Sequence, residues 1–551
     1  MPSVAAVVLT GITGMLVAYP LGRIAVEALG IGPGDAGFLQ PYREALVSPV
    51  ALSAIWGTVW LSALSVAFGV PLAVLLAWIT SSTDAPLARL LAPIPTLSLA
   101  LSPLVGAMGW LVLLTPRVGL LNLLVRHLLG LTTQTGPFNA FSLKLVVMLT
   151  TFYVVPYIYG PAYGALSQID GALVESARIC GANPRLAAFS VMLPVIRPAI
   201  LAGSLIAGVM AASMFAIPLI LASGTGLHVI PTEIYQYINQ EGRIAPALAM
   251  ASLLTCVTAA AMAAYGRLLG RRRFVTVTGK RSRPVRLKLG ILRWPATALV
   301  LLFLLLAFVT PIACLLYLSF IGFWSRDVFS QPLSFDQYRQ LLDFPLAVPA
   351  LLNSLWLAGL ASMLALLTGF AVSYRAVRSP NLGNRVLAGA AALPLGVPSI
   401  VLGLAFLVAF TGSPLPLYGT PAIIVLAYTV HVLPIASRNA EAALRQVAPD
   451  LEEAALICGD TRGGALRRVV LPLLRRPLVA AWALTFIILF RDLPISILLY
   501  TPATAPSAVA MMSIYDQGWL TGVAGYAIVI TAISIGVVLL VASASRRSVG
   551  S

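Results

Sequence analysis

The sequence predicts an all-α polytopic membrane protein, a tandem duplication of one six-helix unit with about 12 transmembrane helices. Three observations lead there. Of 551 residues 59% are hydrophobic and only 10% are charged, and the charges gather between long apolar runs. Those runs reach the roughly 20 residues that a spanning helix needs. A heptapeptide and its surroundings also occur twice at one fixed offset.

No water in the bilayer core can satisfy backbone N–H and C=O groups, so a span is a helix or part of a closed barrel. These runs are too long and too little alternated for barrel strands. In the first half they lie near 4–28, 51–79, 89–115, 140–165, 198–222 and 245–266. In the second they lie near 294–320, 349–374, 386–411, 420–440, 478–500 and 523–543. Pro93, Pro95 and Pro103 fall inside the third run. The first run lacks a basic leader and a clear cleavage site, and reads as a spanning helix rather than a removable signal.

The net charge of +17 does not point to nucleic acid, because the cations are confined to a few loops. The stretch 267–293 holds Arg271, Arg272, Arg273, Lys280, Arg281, Arg283, Arg286 and Lys288 and no acid. Cytoplasmic loops carry such an excess. An even number of spans on each side then places both termini inside, and Arg546 and Arg547 agree. The loops that fall outside carry Asp35, Glu44, Glu233, Glu241, Asp327, Asp336 and Asp343. The chain therefore divides into a first half, 1–270, a basic linker, 271–293, and a second half, 294–551.

The repeated segment is Glu175-Ser176-Ala177-Arg178-Ile179-Cys180-Gly181 with Leu193-Pro194, and Glu453-Ala454-Ala455-Leu456-Ile457-Cys458-Gly459 with Leu471-Pro472. The offset is constant: 453 − 175 = 459 − 181 = 472 − 194 = 278. Trp56 and Trp356 mark a further correspondence, as do Tyr42-Arg43 and Tyr338-Arg339, and Pro218 and Pro494. Two like-oriented halves of even span count form a parallel repeat about an axis along the membrane normal. Within each copy, Gly181 and Gly459 suit the left-handed residue that ends a helix. Asn183 with Pro184, and Thr461, suit the start of the next one. Asp450 with Glu453 fits a capping box.

This duplicated segment resembles the EAA loop in the membrane subunits of binding-protein-dependent ABC importers. The resemblance covers nearly the whole chain, and Ser176 departs from it where the family usually has Ala. It implies that the loops at 166–197 and 441–477 dock two separate ATP-binding subunits. The docking role falls on Glu175, Ala177, Gly181, Pro194, Glu453, Ala455, Gly459 and Pro472. It further implies a periplasmic or lipid-anchored solute-binding protein, a location in the cell inner membrane, and no cofactor. The linker segment 274–280, Pro231-Thr232-Glu233-Ile234-Tyr235 and Arg491-Asp492-Leu493-Pro494 resemble the ferric-iron subgroup. Fused permeases for thiamine share the duplicated layout, and polyamine and phosphonate permeases share the six-helix unit. No phosphate-cradling loop is present; Thr278-Gly279-Lys280-Arg281 lacks both the upstream glycine and the hydroxyl after lysine. The chain is thus expected to be a transport subunit and not an enzyme.

Ionisable groups in spans are costly and usually functional. Arg491 and Asp492, with Pro494 and its counterpart Pro218, are therefore candidates for the pathway or a gate, against the plainer reading of an ion pair at a helix end. His127, His228 and His431 show no spacing that converges on a metal. The four cysteines form no C-x-x-C pair, and Cys180 and Cys458 lie in loops read as cytoplasmic, where disulfides are rare. A gradient-driven carrier with two six-helix halves is the competing class. It would call for ionisable groups at mid-membrane, which the runs nearly lack, and would have no use for paired docking loops.

Overall fold

The computed structural model describes residues 4–31, 37–131, 133–181, 183, 186, 188–270, 287–412 and 415–547. Most of the basic linker, with its 274–280 segment, and the expected helix-start residue Pro184 lie outside the described residues, as does Asp35. Among the described residues the regular structure is helical, apart from one isolated bridge between Thr83 and Leu287.

The principal helices, in chain order, begin with α1 (Val4–Ala28), α2 (Pro49–Ser82), α3 (Pro103–Leu114), α4 (Leu143–Ser167) and α5 (Gly171–Ile179). Then come α6 (Leu193–Ala212), α7 (Ile230–Asn239) and α8 (Ile244–Gly270). The second half has α9 (Gly290–Leu318), α10 (Ala347–Arg378), α11 (Leu382–Gly396), α12 (Ser399–Phe410) and α13 (Pro421–Leu444). It closes with α14 (Asp450–Ile457), α15 (Arg462–Phe490), α16 (Ser507–Asp516) and α17 (Leu520–Arg547). Among the described residues nine helices are long and apolar enough to cross a membrane, or up to 11 if each of two bent pairs is one span. The N-terminal α1 is a 25-residue helix over the first apolar run.

Those two pairs show that the runs read as spans at 89–115 and 386–411 are bent. The helical segment Ala88–Ala100 meets α3 at 91°, and α11 meets α12 at 111°. The cause is shared. A proline clashes with a helical conformation at the residue before it. Ser102, before Pro103, is extended at φ −62°, ψ 137°, and Val397, before Pro398, at φ −104°, ψ 119°. Two other runs also end early. α6 stops at Ala212 before a short helix Ala216–Leu221, and α15 stops at Phe490 before another, Ser496–Leu499.

The chain forms two compact units that cut across the sequence halves. One comprises Met1–Ala45, Ile234–Thr255 and Tyr338–Ser551; the other Leu46–Glu233 and Cys256–Gln337. In the first unit, α1 packs on α11 and α12. The Tyr19 hydroxyl donates to the Ala409 carbonyl at 3.3 Å, and the Tyr19 ring meets Phe410 edge-on at 5.7 Å. In the second unit, α9 packs on α3, and Phe303 meets Phe152 edge-on at 5.7 Å. A Cβ on Gly109 would stand 2.5 Å from the Pro311 Cβ, so α3 and α9 touch at the backbone. Close approach at a small residue is how helices associate where lipid and side chain are equally apolar. The first helix of each half is thus built into the core of the other.

Candidate functional site

The second repeated loop shows the local logic most fully. Asp450 is not the cap that a capping box requires. Pro449 holds the N-cap position at φ −56°, ψ −33° with no side-chain cap bond, and Asp450 is the first helical residue. Proline's fixed φ is already helical, so α14 starts one residue early. Asp450, Glu452 and Glu453 all fall in its first turn, where carboxylates face the positive end of the helix. The far end follows expectation. Gly459 has φ +87°. Its amide donates to Leu456 at 3.0 Å, and the Asp460 amide to Ala455 at 3.0 Å. That pair of bonds is a Schellman motif. A Cβ on Gly459 or Gly181 would meet nothing within 4 Å, so backbone angle, not space, requires glycine. Thr461 then accepts the Gly464 amide at 3.0 Å and starts the next helix.

The first loop repeats this. α5 ends with the Cys180 amide on the Ser176 carbonyl at 3.1 Å, and Gly181 has φ +89°. Asn183 Oδ1 accepts the Leu186 amide at 2.8 Å. Residue by residue the copies agree in exposure: Glu175 and Glu453 exposed, Ala177 and Ala455 half-buried, Gly181 and Gly459 exposed, Pro194 and Pro472 exposed.

Two shared features escaped the sequence reading. Ile179 and Ile457, each just before the Cys-Gly turn, are both 86% exposed. The Leu-Pro pairs each follow one π turn, Ala188–Met192 and Leu466–Val470. Proline lacks the N–H that an α-helical register would use, and a π turn absorbs the change. The Leu-Pro signal was in the sequence, but its effect was not. Nor is the second helix of the loop a separate element, since it is the start of α15, which runs unbroken from Arg462 to Phe490.

Glu452 was also missed. Its Oε1 accepts from Arg378 Nε at 2.6 Å and its Oε2 from the Tyr374 hydroxyl at 2.9 Å. Arg378 Nη2 donates to the Val447 carbonyl at 3.0 Å. Beneath lies an apolar cluster of Ala443, Leu444, Val447, Val470 and Leu474.

Arg491, Asp492 and Pro494 come together in the turn between α15 and Ser496–Leu499. Asp492 is 8% exposed. Its Oδ1 accepts the Ile495 amide at 3.0 Å, while Ser496 Oγ donates to the Asp492 carbonyl at 2.7 Å. The carboxylate therefore holds the turn that leads into the short helix, at the amide of its N-cap residue Ile495. Arg491 is the C-cap of α15 and half-buried. Pro218 is buried in Ala216–Leu221, in the other compact unit. His228 Nδ1 lies 2.8 Å from Glu233 Oε1.

A duplicated set of long apolar helices carrying paired helix–glycine turn–helix loops defines a multi-pass membrane protein. The family model described as binding-protein-dependent transport system inner membrane component matches residues 69–274 and 361–549, one match in each half, and the chain belongs to that family. It is 28% identical over 389 residues to the ferric transport system permease protein FbpB of Actinobacillus pleuropneumoniae, covering 68% of this chain and 55% of that one. It is 30% identical over 334 residues to the putative ferric transport system permease protein FbpB 1 of Haemophilus influenzae, covering 59% and 51%. The chain thus spans about half the length of these ferric relatives. A putative 2-aminoethylphosphonate transport system permease protein, PhnV of Salmonella typhimurium, is 30% identical over 198 residues, 36% of this chain and 75% of that one. A chain from the crystal structure of a bacterial ABC transporter involved in the import of alginate aligns at TM-score 0.37 and 18% identity, over 45% of this chain and 92% of that one.

Proposed function

We propose that this chain is the translocation subunit of an ATP-driven importer, and that its cargo is ferric iron delivered by a soluble or lipid-anchored binding protein at the outer face. The observation that carries the reading is the pair of matched loops. Each presents an exposed isoleucine beside a left-handed glycine, at one offset of 278 residues. An exposed large apolar side chain on a short, sharply capped helix suits insertion into a cleft of a partner. Two such knobs suit two ATP-binding subunits, one per loop. Glu175, Ala177, Gly181 and Pro194, with Glu453, Ala455, Gly459 and Pro472, shape the docking elements. The chain has no phosphate-cradling loop of its own, so the subunits supply the ATP chemistry.

The charge pattern supports cytoplasmic placement of both loops, the linker and both termini. Pro218, beyond the end of α6, and Arg491, Asp492 and Pro494, beyond the end of α15, remain pathway or gate candidates, each within its own unit. Iron rests on the two ferric relatives; the phosphonate relative supports a second cargo. The test is uptake of labelled ferric iron and of labelled 2-aminoethylphosphonate by cells lacking the gene. Loss of iron uptake, restored by the gene, is expected. Loss of phosphonate uptake with iron unchanged rejects iron and leaves the importer standing.

A further inference from the structure

The two docking loops are not held alike. Arg378 is the last residue of α10, and Glu452 is in the first turn of α14. A cation at a helix C-terminus and an acid at an N-terminus each complement the local dipole. Here the two helix ends are joined through those charges. The pair is nearly dry, with side chains 13% and 14% exposed, and Tyr374 and the Val447 carbonyl complete its hydrogen bonds. Leu444, Val447, Val470 and Leu474 pack below, with Phe370, Tyr374 and Leu466 against them. The inner ends of α10, α13 and α15 and the helix α14 therefore form one body.

The first half cannot repeat this. By the constant offset, 452 − 278 = 174, Glu452 corresponds to Val174, which has no carboxylate. The helix corresponding to α10 is α2, and it carries no basic residue in its last turn, where α10 carries Arg375 and Arg378. Both partners of the pair are missing there, not one.

We infer that Glu452–Arg378 is a latch that makes the second docking loop move with α10 as one rigid element, so that a displacement of α14 reaches that span through a charge pair whose two members the first half does not carry. Glu452 and Arg378 are positioning residues; they need not touch the ATP-binding subunit. The inference rests on the reading that the loops dock such subunits. It adds that the push of the subunit at the second loop reaches α10 through this pair.

Two measurements test it, both on the full chain co-expressed with its ATP-binding subunits. The first needs no cargo. Spin labels are placed at Ser379→Cys and Asp450→Cys in a chain whose Cys180, Cys256 and Cys458 are serine. Their separation is read by dipolar electron spin resonance without nucleotide and after trapping with ATP and vanadate. One narrow separation, the same in both states, is expected. Adding E452Q should make it broad and nucleotide-dependent. An unchanged narrow separation in E452Q overturns the latch.

The second measurement is ATP consumed per labelled ferric ion moved. E452Q and R378Q should each raise it about tenfold or more, because removing one partner of a buried pair strands the other. Both should keep the ATP-binding subunits bound through purification. The double variant should be no worse than either single one, since the pair acts as a unit; additive losses overturn the pairing. An unaltered chain that retains no ATP-binding subunit rejects docking itself. Retained subunits with an unchanged separation in E452Q reject the latch alone.

Discussion

Gly181 and Gly459, at positions separated by 459 − 181 = 278, hold the same left-handed backbone, φ +89° and +87°. Nothing crowds either Cα, so the conformation is set by the chain reversal each loop must make. Angles within 2° of each other, with open space at both Cα atoms, indicate that the two copies share the shape of the turn rather than a packing contact.

Valine at these glycines should therefore damage the turn and not the bundle. A non-glycine residue in left-handed conformation costs about 1–2 kcal/mol. G459V is expected to insert and purify normally but to lose ATP-binding subunits and transport. G459N, which tolerates the conformation better, should lose much less. Normal uptake by the G181V/G459V double variant counts decisively against a docking role.

The isoleucines give a second measurement. Fully burying such a side chain is worth about 1.5–3 kcal/mol. Ile457→Ala and Ile179→Ala should each weaken binding of the ATP-binding subunits by roughly 10- to 100-fold, read by surface plasmon resonance on reconstituted chain. With the side chains 86% exposed, the stability of the chain itself should not change. A melting temperature that falls while affinity holds would place these residues in the fold instead.

Native cysteines report orientation. Cys180 and Cys458 are exposed beside the turns and Cys314 is buried; Cys256, exposed on α8, is replaced by serine for this measurement. A membrane-impermeant maleimide should label Cys180 and Cys458 in inverted vesicles and not in intact cells permeabilised only at the outer membrane. Bound ATP-binding subunits should slow the labelling. Reaction from the outside would invert the topology.

Gly109 tests the exchanged packing. A valine there would drive a Cβ to within 2.5 Å of Pro311. Overpacking of this kind typically costs 1–3 kcal/mol. G109V should lower the thermal transition seen by fluorescence-detected gel filtration, while Gly160→Val, with open space around its Cβ, should have far less effect.

Much of this architecture was legible. The apolar runs marked the spans, because length and hydropathy are properties of the local chain. The loop turns were legible for the same reason: Gly459, Thr461 and Asn183 each act on backbone within a few residues. The bends at Ser102 and Val397 were signalled by Pro103 and Pro398, yet a straight span and a broken one share the same composition. What local pattern could not reveal was anything joining distant segments. Glu452 and Arg378 are separated by 74 residues and carry no motif. Asp492 read as a candidate gate because it is charged in an apolar context; that its carboxylate caps the turn at Ile495 depends on backbone geometry.

The exchange of first helices bears on how the protein is made. α1 ends at residue 28 and its packing partner α11 begins at residue 382, so 382 − 28 = 354 residues of chain must be synthesised before the two can meet. At roughly 5–20 residues per second that is a wait of roughly 18–70 s. Throughout it, the Tyr19 side of α1 is in the bilayer with its final neighbours not yet made. Lipid, or a membrane chaperone, must cover that surface in the interval. Neither half alone would have a finished core, and the folding of each unit accordingly draws on residues from both halves.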